Sequence, residues 1–273
     1  MFLRKALGIL TVVALVLGFS FFAGCSQEQE PGGETVYKIG DTRGDWGFPA
    51  PYLHYQRGPG YVRLSYIFDT LVWKDDTGFI PALAESWEYL EADNAYVFDL
   101  QKNVSWHDGE PFSAGDVGFT FKYIKEHPYL LVDDTIVDKV DVLDDYRVKL
   151  TLKEPYSPFL SNIAATMPIL PEHIYKDIDD PEGFTDIKAA TGTGPYKFAD
   201  YKKEMGTYLY TANEDYYLGK PTFDKIMFVK INENMAASAL EKQEVDAIVI
   251  KPEMKDTLAE SGFNFAKGTY DMT

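Results

Sequence analysis

Residues 104–117 read Val-Ser-Trp-His-Asp-Gly-Glu-Pro-Phe-Ser-Ala-Gly-Asp-Val, and two backbone decisions are written in them. His107-Asp108-Gly109 is a turn signal with a specific conformational demand at Gly109. Ser113, with Asp116 three residues on, makes a capping-box-like helix start, and Val117, Phe119, Phe121 and Ile124 follow it as an apolar face. Pro128 stops that helix. A tight turn accounts for His107 better than a metal or catalytic role does.

Working outward, Tyr96–Leu100 alternates as a half-buried strand, and Val137–Val142 with Arg147–Leu152 read as a hairpin across Asp144-Asp145. Pro158–Met167 is predicted helical, and Pro171-Glu-His-Ile-Tyr175 opens another short helix. Gly192-Thr-Gly-Pro-Tyr196 marks a boundary. It resembles a phosphate loop only superficially, because no Lys-Ser/Thr follows and Pro195 removes a backbone donor. We read its glycines as a close passage of the chain. Beyond it, 196–201 and 207–211 look like paired strands, and strand 225–231, helix 235–240 and strand 245–250 form a βαβ pattern implying a parallel pair. Asp246 reads as a cap or turn residue.

Towards the amino terminus, Val36–Gly40 reads as a first strand entering a loop, DTRGDWGFPAPYLHYQRGPG, over residues 41–60. Loops of this length in a compact domain tend to be functional. A helix is expected from Tyr61 to about Leu71. Arg4 and Lys5 precede an uncharged apolar run, Ala6–Phe22, which ends in Phe22-Ala23-Gly24-Cys25. That layout is a secretory signal, with an uncleaved transmembrane helix as the alternative. Residues 26–34 (SQEQEPGGE) have the composition of a flexible tether.

Cys25 is the single cysteine, so an exported domain here has no internal disulfide and relies on its core. With 45% hydrophobic and 15% aromatic residues, that core can be large. The net charge of −17 argues against nucleic acid and against adsorption of the folded domain to an anionic membrane face. It mildly favours cationic or zwitterionic ligands.

Four segments in this order resemble the family 5 (peptide/nickel) extracellular solute-binding proteins of ABC importers: Ala82–Trp87, Val104–Val117, Gly192–Tyr196 and Asn213–Pro221. Ala239–Asp246 fits as well, and Phe22–Cys25 looks like a bacterial lipobox, which implies that Cys25 is the lipid-anchored first residue of the mature chain. The resemblance implies an α/β, periplasmic-binding-protein-like fold of type II, here its first lobe with an inserted α+β subdomain. It divides the chain into a leader (1–24), a tether (25–34), a lobe base (35–74 and 191–250), the insert (75–190) and the start of a crossover (251–273). Family members are about twice this long, so the second lobe is expected to be absent. Either the gene is split or truncated, or a second chain supplies the rest.

The expected ligand-facing residues are Arg43, Trp46, Tyr52, His54 and Arg57, all on the loop after the first strand. Arginine offers a planar fork for a carboxylate, and the aromatic rings offer stacking faces. Against this stands a covering role for the aromatics and surface pairing for the arginines. Met167 falls roughly where nickel-type relatives place an arginine, which speaks against nickel. The four histidines are dispersed and the acid cluster 133–145 lacks the pattern of a calcium loop, so neither a metal nor a cofactor is expected. No G-x-S-x-G, H-E-x-x-H or second cysteine supports a secreted hydrolase.

The function these features imply is a lipid-anchored receptor on the outer face of the cell membrane. It takes peptides or another small solute, and works with permease and ATPase subunits without catalysis. A fragment with little binding of its own, or a receptor for a nickel chelate or oligosaccharide, is the alternative.

Overall fold

Alternation of buried and open positions puts strand β1 (Val36–Asp41) at a half-covered site, and its two edges organise the first of three sheets among the described residues. The computed structural model describes residues 33–55, 58–248 and 255–265. The apolar leader, Cys25 and the tether before residue 33 lie outside them, as does Arg57. No helix among the described residues is long and apolar enough to cross a membrane.

After β1 come helix α1 (Pro59–Ser65) and the strands β2 (Val72–Asp75), β3 (Gly78–Pro81), β4 (Ala84–Leu90) and β5 (Ala95–Leu100). Helix α2 (Ala114–Glu126), strands β6 (Val137–Asp144) and β7 (Arg147–Leu152), and the short helix α3 (Glu172–Tyr175) follow. Strands β8 (Tyr196–Lys202), β9 (Thr207–Ala212) and β10 (Lys225–Lys230) come next, then helix α4 (Ala236–Glu241) and strand β11 (Ala247–Ile248).

Five strands form one sheet in the order β11-β1-β10-β9-β8. β1 runs parallel to both β10 and β11, and β8, β9 and β10 pair antiparallel. The expected parallel pair is thus split: β10 and β11 are parallel, but β1 lies between them. Asp246 is part of that seam, its carboxylate accepting from the Lys38 amide at 2.7 Å and its own amide donating to the Lys38 carbonyl at 2.8 Å. A core of Ile67, Phe68, Tyr208, Tyr210 and Phe228 packs beside this sheet.

The antiparallel sheet β4-β5-β7-β6 carries the larger core. Helix α2 turns Val117, Phe121 and Ile124 into it. That helix starts as its sequence requires: the Ser113 hydroxyl accepts from the Gly115 amide at 3.1 Å, and the Asp116 carboxylate accepts from the Ser113 amide at 2.9 Å. The second Asp116 oxygen takes the Glu172 amide at 3.0 Å, so one carboxylate caps α2 and anchors the start of α3.

Two helices are shorter than the sequence predicts. α1 ends at Ser65, and Thr70 and Leu71 instead use their carbonyls to accept the amides of Leu83 and Ala84. An apolar run buried on every side, here Ile67, Phe68, Leu71 and Val72, does not distinguish helix from buried extended chain. Within 158–167 only one wide turn forms, over Leu160–Ala164.

The Gly192-Thr-Gly-Pro stretch passes against the end of α1. A β-carbon on Gly192 would lie 1.9 Å from the Ile67 carbonyl oxygen, so no other residue fits. His107 clamps the same stretch: its Nε2–H donates to the Gly194 carbonyl at 2.9 Å, and its Nδ1 accepts the Gly192 amide at 3.3 Å.

Candidate ligand-binding groove

Strand β1 hands its chain to the 41–60 loop at Asp41, which sits in a parallel seam where sheet proteins collect binding loops. One Asp41 oxygen accepts the Arg43 amide at 2.8 Å, while the other accepts the Trp46 indole at 2.8 Å and pairs with the Arg63 guanidinium. Arg63 is buried and lies 4.0 Å from the centre of the Phe228 ring. A second aspartate, Asp45, takes hydrogen bonds from Tyr201, from Tyr208 at 3.1 Å and from the Gly47 amide at 3.0 Å. Burial alone would raise the Asp45 carboxyl, but these donors outweigh it and hold the group below its ordinary value. The front of the loop is therefore fixed by two carboxylates. Trp46 is left half-buried, and the exposed Arg43 guanidinium stands 5.9 Å from its ring.

The back of the loop turns inward. Gly47, at φ +82°, makes the bend, and a β-carbon there would meet the Leu53 carbonyl at 2.4 Å. Tyr52 then enters the larger core, where its hydroxyl donates to the His127 carbonyl at 2.8 Å. His54 is 4% exposed; Nδ1 meets the Tyr55 carbonyl at 2.8 Å and Nε2 meets the Tyr129 hydroxyl at 3.0 Å. Burial lowers its pKa to about 4, only partly offset by the Tyr55 carbonyl, so the ring is neutral at physiological pH. The loop residues expected to face a ligand are thus not brought onto one surface. Arg43 and Trp46 remain accessible, Tyr52 and His54 use their polar atoms internally, and Arg57 is outside the described residues.

The concave surface lies where Tyr52 and His54 lead. A groove of about 1630 Å³ runs between the end of α2, the segment 128–135, the β2–β3 turn and residues 161–166. Tyr61, Tyr129, Leu130 and Tyr156 give it rings and apolar surface, and Asn162 and Thr166 give it uncharged polar groups. Lys125 and Lys153 face it together with Asp133 and Asp134. Tyr61 is fixed in place by donating its hydroxyl to the Thr166 carbonyl at 3.1 Å. Apolar walls with a few placed polar groups are the make-up of a small-molecule site, and the volume exceeds what a drug-sized ligand needs. The groove offers stacking surface, hydrogen bonds and both charges. Among the described residues no three His, Cys, Asp or Glu side chains gather into a group that could hold a metal.

Tyr129 and Leu130 do not stand out in the sequence, because Pro128 reads as a helix stop and the five residues after it carry no periodicity. The available signal was compositional: Pro-Tyr-Leu-Leu-Val at 128–132 is too apolar for an exposed connection.

The sequence profile described as "Bacterial extracellular solute-binding proteins, family 5 Middle" matches residues 78–270. The chain belongs to this family. Among similar curated proteins, this family 5 chain is 30% identical over 205 residues to "Di/tripeptide-binding protein 2" of Pseudomonas aeruginosa, covering 66% of itself and 38% of that protein. It is 32% identical over 193 residues to the "Nickel-binding periplasmic protein" of Escherichia coli, covering 67% and 36%. Its fold is that of the type II family 5 binding proteins. The substrate-binding protein CtaP of Listeria monocytogenes aligns with a TM-score of 0.70 at 30% identity, over 84% of this chain and 47% of that one. NikZ of Campylobacter jejuni, solved with Ni(L-His), aligns with a TM-score of 0.69 at 27% identity, over 82% and 45%. The family 5 chain spans less than half the length of these relatives.

Proposed function

We propose that this family 5 chain is a ligand-binding lobe of an ABC importer's substrate-binding component, acting outside the cell and binding peptides without transforming them. The groove carries this reading. It is large, walled by tyrosines and leucine, and supplied with amide, hydroxyl and opposite charges at separate points, which suits an extended zwitterionic solute. A nickel chelate is smaller and is served by fewer, closer groups. Met167, where an arginine was expected for the nickel type, is buried.

In the same proposal residues 1–24 are a leader, Cys25 is the lipid-anchored start of the mature chain and 25–34 is the tether. Residues 35–74 and 191–250 make the lobe base, 75–190 the insert and 251–273 the start of a crossover. Arg43 and Trp46 form a second, outer contact. Permease and ATPase subunits are the partners.

Isothermal titration of the chain with di- and tripeptides, and separately with nickel–histidine, tests the ligand class. Saturable peptide binding with a Kd on the order of 1 mM is expected, since a groove open to water recovers little of the ordering cost. Binding of nickel–histidine with no response to any peptide contradicts the peptide reading.

A further inference from the structure

Tyr52 and His54 both reach the same short strap of the groove, residues 128–132. The Tyr55 carbonyl can only accept a hydrogen bond, so His54 Nδ1 carries the ring proton and Nε2 is left as an acceptor. The Tyr129 hydroxyl, 3.0 Å away, therefore donates to it. Tyr52 holds the residue before the strap through the His127 carbonyl, and its ring meets Tyr129 edge-on at 5.9 Å. Val132 donates its amide to the Tyr129 carbonyl at 3.0 Å and closes the strap as a turn. Tyr129 is 3% exposed and its neighbour Leu130 is 81% exposed, yet both border the groove. The strap is thus a buried pin followed by a projecting apolar side chain.

We propose that His54 is a positioning residue for ligand binding: by accepting the Tyr129 hydroxyl it sets the strap 128–132, and through it the stance of Leu130 in the groove wall. The inference rests on the groove's being the ligand site and adds the buried residue that shapes one of its walls. Chemistry gives the pin one geometry. Both polar atoms are shut away from water, so a displaced Tyr129 leaves two buried groups unpaired. Covering surface alone would need no such matched donor and acceptor.

Two substitutions separate the ring's ends. Asn in place of His54 retains an amide near the Nδ1 position, facing Tyr55, and has nothing at the Nε2 position; Gln places an acceptor there. Amide hydrogen exchange across 129–132 in the full chain is the readout. His54→Asn is expected to speed exchange about tenfold, the equivalent of one lost hydrogen bond, and His54→Gln by less than about twofold. Tyr129→Phe keeps the ring and removes only the hydroxyl. It should match His54→Asn, and the double variant should go no further than either single one. Equal exchange in the Asn and Gln variants, or unchanged exchange in Tyr129→Phe, overturns the pin.

Titration with trileucine then tests the consequence. Affinity should fall about tenfold in His54→Asn and recover in His54→Gln. Equal affinity for wild type and His54→Asn overturns the positioning role. A wild-type chain that ignores trileucine while the exchange results hold instead removes the peptide reading, and with it any part for position 54 in binding that ligand.

Discussion

His107 is half-buried and Asp69 fully buried, and their titrations push the pH dependence of stability in opposite directions. Burial lowers the His107 pKa to about 4, the bond to the Gly194 carbonyl offsetting only part of this. Its pKa is then below that of the unfolded chain, so its share of stability is complete above about pH 6.5 and lost as pH falls through 4. His54 behaves alike, and each is worth on the order of 3 kcal/mol over that span. Asp69 is fully buried, with the hydroxyls of Tyr216 and Thr193 at 3.2 and 3.3 Å. Burial raises its pKa to about 7, and the surrounding donors pull it back only partly. Its share of stability is present below about pH 4 and lost as pH rises through 7. Chemical denaturation at pH 4.5, 6 and 8 should therefore show His107→Gln removing a gain in stability that accrues mainly between about pH 4.5 and 6.5, and Asp69→Asn removing a loss that runs from about pH 4.5 to beyond 7. A variant that shifts all three values equally contradicts the assignment for that residue.

Among the elements, helix α2 and the glycine passage make the sharpest contrast in what a substitution costs. Ser113→Ala removes one cap and should cost about 1 kcal/mol by urea denaturation. Asp116→Ala should cost at least twice as much, because its carboxylate also holds the Glu172 amide of α3. Gly192→Ala drives a β-carbon into the Ile67 carbonyl and should cost more than about 4 kcal/mol or leave no soluble protein. Both features were legible in the sequence, since a capping box and a glycine forced by close approach are local statements. The hairpin β6–β7 and strands β8–β10 were legible for the same reason, through alternation and turn residues. Length was less legible. The predicted helix to Leu71 stops at Ser65 because residues 67–72 are buried whichever way the backbone runs, and their pattern holds no period to read. The partner of β11 was hidden as well: that β1 inserts between β10 and β11 is a long-range choice that the βαβ pattern does not encode.

At the scale of the whole molecule, Tyr52 and His54 of the loop expected to face a ligand lie behind the groove rather than on its surface. The sequence pointed to an aromatic-rich loop. The structure uses that loop's Asp41 and Asp45 to fix its own front, and its Tyr52 and His54 to support a groove whose lining includes residues 61, 129, 130, 156, 161, 162, 165 and 166. Those positions are scattered, and only the packing of α2 and the strap against the loop collects them. The family itself was legible because its motifs are turns, caps and close passages that fix backbone geometry. The groove as the place of binding can be tested by following backbone amide resonances of the chain as trileucine is added. We predict saturable shifts concentrated at Tyr61, Leu130, Asn162 and Thr166, with the β8–β9 edge unmoved. Shifts gathered on that edge, or at Arg43 and Trp46 with the groove silent, would contradict it.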